Sequence, residues 1–228
     1  KRVTAVILMT ASPHDSMDRE KGHLPVESAQ GSIMNLADLG QMLEKEKLDI
    51  LSICTWNASH REILEHAVSA GIKAIFCEKP LSDTLEGADA MAGLCRDKKV
   101  VLAVNHWRRW DSFHKKIKAF IDEGGLGDIQ SATFSYTAGI ANTGTHLLDL
   151  LRYFFGDVAW VWGDKDHRCK DAPDPSLDGY LYFNGGFGCA LKGCDVKQYL
   201  LFELDILGTK GRLRLYDLAA DPGETRDL

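Results

Sequence analysis

Short apolar runs that alternate with segments of helical period dictate the architecture of the first hundred residues. Residues 2–10, 49–55, 72–77 and 100–105 are apolar stretches of strand length. Between them, residues 36–46 put Leu36, Leu39, Met42 and Leu43 on one helical face. Residues 59–70 and 85–98 read as further helices, the first stopped by Gly71 just past its end. Strands alternating with helices specify parallel pairing, because a parallel connection needs a crossover long enough to hold a helix. An α/β domain with a doubly wound parallel sheet is therefore expected over residues 1–105. Residues 11–32 are polar and show no clear period.

The pattern changes after Asn105. Residues 112–123 read as a helix with Phe113, Ile117 and Phe120 inward, broken by Gly124-Gly125-Leu126-Gly127. Residues 129–137 alternate as a strand, and a helix follows over about residues 145–155. Residues 158–163, 179–184, 186–192, 199–207 and 211–216 read as successive strands, with Asn184-Gly185 as a hairpin signal. This predicts a second domain, residues 106–228, of α+β class with an open, mainly antiparallel sheet. The polar tail from Ala219 is expected to fray.

Composition excludes several function classes. The chain has 228 residues, 45% of them hydrophobic, which suits two small domains or one large one. A net charge of −6 without a basic stripe argues against nucleic acid as a partner. No run approaches the roughly 20 apolar residues of a membrane span, and the start as given carries no signal peptide. The cysteines at 54, 77, 95, 169, 189 and 194 form no Cys-x-x-Cys pair, which fits a reducing cytoplasm better than a disulfide framework. His167 and Cys169 with Cys189 and Cys194 match no standard zinc spacing, so no metal site is expected.

Two segments carry chemistry. Glu78-Lys79-Pro80 ends a buried strand abruptly, since proline has no N–H for the ladder. That leaves Lys79 at the C-terminal edge of the parallel sheet, where open α/β sheets place ligands. A surface lysine at a strand end is the structural alternative. The second segment is Gly139-Ile140-Ala141-Asn142-Thr143-Gly144-Thr145-His146-Leu147-Leu148-Asp149. Its glycines and Asn142 make a turn, and Thr143 or Thr145 can cap the helix that follows. His146 is then expected in the first helical turn, where the positive end of the helix dipole disfavours the imidazolium and leaves the ring able to accept a proton. As a structural residue, it would instead bond a nearby backbone group.

With Asp49-Ile50-Leu51-Ser52-Ile53-Cys54-Thr55-Trp56-Asn57-Ala58-Ser59-His60 and Asn105-His106-Trp107-Arg108-Arg109-Trp110, these segments stand in the order of one family. From about Asn35 to Asp217 the chain resembles the glucose–fructose oxidoreductase, inositol dehydrogenase and rhizopine-catabolism (Gfo/Idh/MocA) family of NAD(P)-dependent oxidoreductases. The resemblance implies a Rossmann-like first domain, and an enzyme moving a hydride between a nicotinamide and a secondary hydroxyl of a sugar, cyclitol or sugar-nucleotide. It implies Lys79 and His146 as catalytic groups. Thr10, Thr55, Trp56, Asn57, His60, Glu78, Lys79, Pro80 and Asn105 are expected at the cofactor, NAD or NADP. Asn142, Asp149, Arg108 and Arg109 are expected at the substrate. Asp149 could alternatively pair with Arg152, and the arginines with acids. A homo-oligomer, dimer or tetramer, is implied through the C-terminal sheet.

Departures from the family pattern matter. Asn142 stands where many members carry Asp, and an amide cannot take a proton near neutral pH. Trp56 replaces a usual proline. No Gly-x-Gly-x-x-Gly turn is present to cradle a pyrophosphate. Residues 2–10 resemble the second strand of such a domain, so the first strand, turn and helix are expected upstream of Lys1. The competing expectation is a degenerate relative, a sugar or dinucleotide sensor, that lost the cradle.

Overall fold

The computed structural model describes residues 4–9, 27–32, 36–165, 172–195 and 199–216. The chain divides into two compact units, residues 1–105 and 106–228.

In the first unit, β1 (Thr4–Met9), β2 (Glu27–Ser32), β3 (Ile50–Cys54), β4 (Ala74–Cys77) and β5 (Val101–Val104) form one sheet in the order β2-β1-β3-β4-β5. Every pairing in it is parallel. The helices are α1 (Leu36–Lys45), α2 (Asn57–Ser69) and α3 (Leu85–Asp97). Leu51, Ile53, Ile75 and Cys77 point to one face of the sheet and are buried with Leu64 and Ala67 of α2 and Met91 of α3. Parallel pairing thus follows from the alternation of elements. β2 escaped the periodicity argument because Glu-Ser-Ala-Gln-Gly-Ser has no apolar alternation; among the described strands it stands at the end of the sheet, beside β1. The strand order reverses beside β1, whose neighbours β2 and β3 both follow it in sequence. In doubly wound sheets the crevice beyond the carboxyl ends of such strands receives ligands.

The second unit carries a six-stranded sheet: β6 (Ile129–Tyr136), β7 (Val158–Lys165), β8 (Leu177–Phe183), β9 (Gly188–Gly193), β10 (Phe202–Gly208) and β11 (Arg212–Tyr216), in the order β11-β10-β6-β9-β8-β7. All pairs are antiparallel except β6 with β9. Its helices are α4 (Ser112–Asp122) and α5 (Gly144–Phe155). Leu147, Leu150, Leu151 and Phe154 of α5 bury against Phe134, Phe183, Phe202 and Leu204 of the sheet. In α4 the inward residues are His114 and Ile117, while Phe113 and Phe120 are 55% and 45% exposed. The expectation of Phe113 and Phe120 inward is thus corrected, while Ile117 is buried as expected; the Asp111 carboxylate accepts from the Phe113 and His114 amides and from the buried His114 ring.

On the opposite sheet face Trp160, Trp162 and Tyr180 are exposed. Trp160 stacks on Tyr182 at 5.5 Å and on Tyr180 at 5.7 Å. Tyr180 lies across Gly188, where an added Cβ would sit 1.8 Å from the phenol oxygen. Further along that face Asp205 pairs with Arg212 and Arg214, and the Arg212 hydrogen bond first among causes holds its carboxyl below the usual range. Burial pushes the Cys77 and Cys189 thiols up to about 12, so both remain thiols at neutral pH.

Candidate active site

In the first unit the expected residues gather on loops beyond the carboxyl ends of β3, β4 and β5. Thr55 follows β3, and its hydroxyl lies 2.8 Å from that of Ser59. Trp56 precedes the first residue of α2 and is 74% exposed. Asn57, expected on a loop, is already helical, because α2 begins as soon as β3 has turned. His60 is almost fully buried. Its Nδ1 lies 3.1 Å from the Pro80 carbonyl and 3.3 Å from that of Leu81, and its Nε2 lies 3.0 Å from the Thr55 carbonyl. His60 thus ties the loop after β3 to the loop after β4, with both ring nitrogens facing backbone.

Glu78 continues the ladder, its amide donating to Ile53 at 2.9 Å. Its carboxylate accepts from the Asn105 side-chain amide at 2.7 Å, joining the ends of β4 and β5. Lys79 follows, half-buried, with a cis bond to Pro80. Thr10 lies outside the described residues.

The second unit opens with a single 3₁₀ turn, Trp107–Arg109. Arg108 is buried, its guanidinium 4.0 Å from the ring centre of Phe202 and 4.6 Å from that of Trp107. Such stacking suits the weakly hydrated, planar guanidinium. Arg109 Nε donates to both Asp149 oxygens at 2.8 Å. Asp149 is therefore paired with Arg109, while Arg152 pairs with Asp157. His106 Nδ1 lies 3.8 Å from the same Asp149 carboxylate. The His146 ring stands edge-on to those of His106 and Trp107, with centroids 6.4 Å away in each case. The unit thus groups His146, His106, Asp149 and Arg109 on α5 and the 3₁₀ turn.

The start of the histidine helix differs from expectation. A π-helical turn, Gly139–Thr143, precedes α5, while His146, the third residue of α5, lies in the first turn of the α-helix as expected. Neither threonine caps it: Thr143 makes no side-chain cap bond, and the Thr145 hydroxyl donates to the Asn142 carbonyl. The amides of Ala141 and Asn142 donate to Asp174 instead, each at 2.9 Å. Asn142 itself is exposed on this turn. Sequence reasoning missed His106 and Asp174. The first sits inside the Asn105–Trp110 segment and was open to notice; the second, between two prolines far downstream, carries no local signal.

Among the described residues, no group of three or more His, Cys, Asp or Glu side chains is placed to hold a metal ion. His167 and Cys169 lie outside those residues. No described helix is long and apolar enough to cross a membrane.

Residues 15–106 match the GFO_IDH_MocA model, described as an oxidoreductase family with an NAD-binding Rossmann fold. The chain is 33% identical to a D-apiose dehydrogenase of Paraburkholderia graminis over 139 residues, 53% of this chain and 36% of that protein. It is 30% identical to inositol 2-dehydrogenase 3 of Saccharopolyspora erythraea over 196 residues, 75% of this chain and 56% of that one. The chain thus spans about a third to just over half of these relatives. In fold it resembles an inositol dehydrogenase homologue from Azotobacter vinelandii solved with NADH and myo-inositol, with a TM-score of 0.78 at 16% identity, covering 95% of this chain and 71% of that one.

Proposed function

Because the chain belongs to the Gfo/Idh/MocA oxidoreductase family, we propose that it transfers a hydride between a nicotinamide cofactor and a secondary hydroxyl of a sugar, cyclitol or sugar-nucleotide. The observation that carries this reading is the position of Lys79. It stands just past the carboxyl end of β4, in a parallel sheet whose segment matches an NAD-binding model.

The described residues suit the nicotinamide end of such a cofactor. The loops after β3 and β4 are held together by His60, and the ends of β4 and β5 by Glu78 and Asn105. Exposed Trp56 offers a flat apolar face beside Thr55. The cofactor is NAD or NADP. The bound nicotinamide would supply the hydride acceptor or donor.

This chain's residues handle the proton. His146 takes it from the hydroxyl whose carbon is oxidised, or returns it in reduction. The Lys79 ammonium stabilises negative charge developing on that oxygen. Asn142 orients the substrate through its amide without taking a proton. Asp149, anchored by Arg109 and close to His106, fixes the helix face that carries His146.

The test is a titration of the full-length protein with NADH and, separately, NADPH, following energy transfer from tryptophan to the reduced nicotinamide. Saturable binding of at least one is expected. Binding of neither would remove the dehydrogenase reading and leave the sensor or a degenerate relative.

We also propose self-association through the open face of the second sheet. Trp160, Trp162 and Tyr180 are 51%, 57% and 37% exposed there, more aromatic surface than a solvated sheet face usually shows. Light scattering after size exclusion should give a dimer or tetramer; a monomer at micromolar concentration would contradict it.

A further inference from the structure

We propose that Asp174 is a positioning residue for the turn that carries Asn142 and leads into His146. This rests on the acid–base role given to His146 above.

Four successive amides at the start of the helical run point at one short segment. Gly139 N donates to Ser176 Oγ at 3.2 Å and Ile140 N to the Pro175 carbonyl at 3.1 Å. Ala141 N donates to Asp174 Oδ1 and Asn142 N to Asp174 Oδ2, both at 2.9 Å. These are the donors that a helix start leaves without intrahelical partners. An N-cap side chain commonly satisfies one of them. Here the acceptors come from the segment leading into β8, more than thirty positions away: the Asp174 contacts span 33 and 32 residues. The location of the turn is therefore set by that segment and not by the helix.

The clamp is built closely on both sides. Gly139 has φ +84°, and a Cβ there would lie 2.1 Å from Asp174 Oδ2 and 2.7 Å from the Asp174 carbonyl oxygen. Only glycine fits both the conformation and the approach. On the other side, Pro173 and Pro175 flank the aspartate and limit the conformations it loses on docking. Ser176 is buried at 3% exposure beneath the turn. A carboxylate facing the outward amides also suits the positive end of the helix. From this anchor the chain passes Asn142, whose carbonyl accepts from Thr145 at 2.8 Å, and reaches His146 within one helical turn.

The test uses Asp174→Ala in the full-length protein, with Gly139→Ala as an independent route to the same displacement. Amide hydrogen exchange of Ala141 and Asn142 should accelerate about 5- to 30-fold in Asp174→Ala, the factor that corresponds to losing one cap. The His146 ring resonances should move in both variants while those of buried His60, in the other unit, stay put. With myo-inositol or D-apiose as probe, whichever the wild-type protein oxidises, kcat should fall about tenfold or more, as expected when a catalytic group is misplaced. NADH affinity should be unchanged. Asp174→Asn should fall between, since its amide oxygen accepts one bond while its nitrogen opposes the other donor. Unchanged exchange at Ala141 and Asn142 would overturn the clamp. Faster exchange with unmoved His146 resonances would reduce Asp174 to a structural cap and overturn the positioning role. If the wild-type protein oxidises neither probe, the reading of function is what suffers, and the exchange and resonance results still decide the role of Asp174.

Discussion

His146→Asn is expected to lower kcat by about 10²–10⁴-fold, the range contributed by one positioned acid–base group. Asparagine keeps a polar side chain of similar reach but cannot exchange a proton at neutral pH. The neighbouring Leu147, Leu150 and Leu151 are fully buried and hold α5 in place, so the substitution leaves the helix where it is. Cofactor affinity should persist, because the first unit is untouched. Lys79→Met should cost a similar factor. The double variant should lose less than the product of the two, since groups acting on one proton are not additive. The measurement is steady-state oxidation of a sugar or cyclitol substrate, with NADH titration as the control. A kcat within about threefold of wild type would remove His146 from proton transfer, and with it the mechanism proposed here.

Phe134→Ala should destabilise the second unit by about 3–5 kcal/mol, the usual cost of emptying a large aromatic site in a packed core. Phe134 is fully buried in β6, with β10 on one side and β9 on the other. Its ring meets Phe202 edge-on at 4.7 Å. Phe202 in turn lies under the Arg108 guanidinium, which also covers Trp107. The cavity would therefore loosen the support of the 3₁₀ turn beside His146 as well as the core. Denaturant unfolding should show a lower midpoint with an unchanged slope for this unit. Because the chain has two compact units, the transition must be assigned to the second before a free energy is taken from it. A loss below about 1 kcal/mol would mean that β6 does not sit at the centre of the core.

The repeating elements were open to reading because hydrophobic period is local information. The strand 50–54 and the helices around it announce themselves within a dozen residues, and the helices between the strands leave room for the crossovers that parallel pairing needs. The same holds for the end of β4, where proline stops the ladder and leaves Lys79 at the sheet edge. Reading failed where the local signal was weak or ambiguous. β2 has no apolar alternation, yet it pairs along β1. Phe113 looked inward by residue type, yet it is exposed while His114, bonded to Asp111, is buried.

Other features have no local trace at all. Arg109 reaches Asp149 across 40 residues, His60 reaches Pro80 across 20, and Asp174 holds the Asn142 turn across 32. β6 pairs in parallel with β9 although β7 and β8 lie between them in sequence. The chain's own pattern thus determined most of the strands and helices, β2 excepted, and placed Lys79 and His146 at the ends of two of them. The tertiary structure alone decided what surrounds those residues. A charged or polar side chain takes its partner from whatever packing brings within about 3 Å, and sequence separation does not enter that choice.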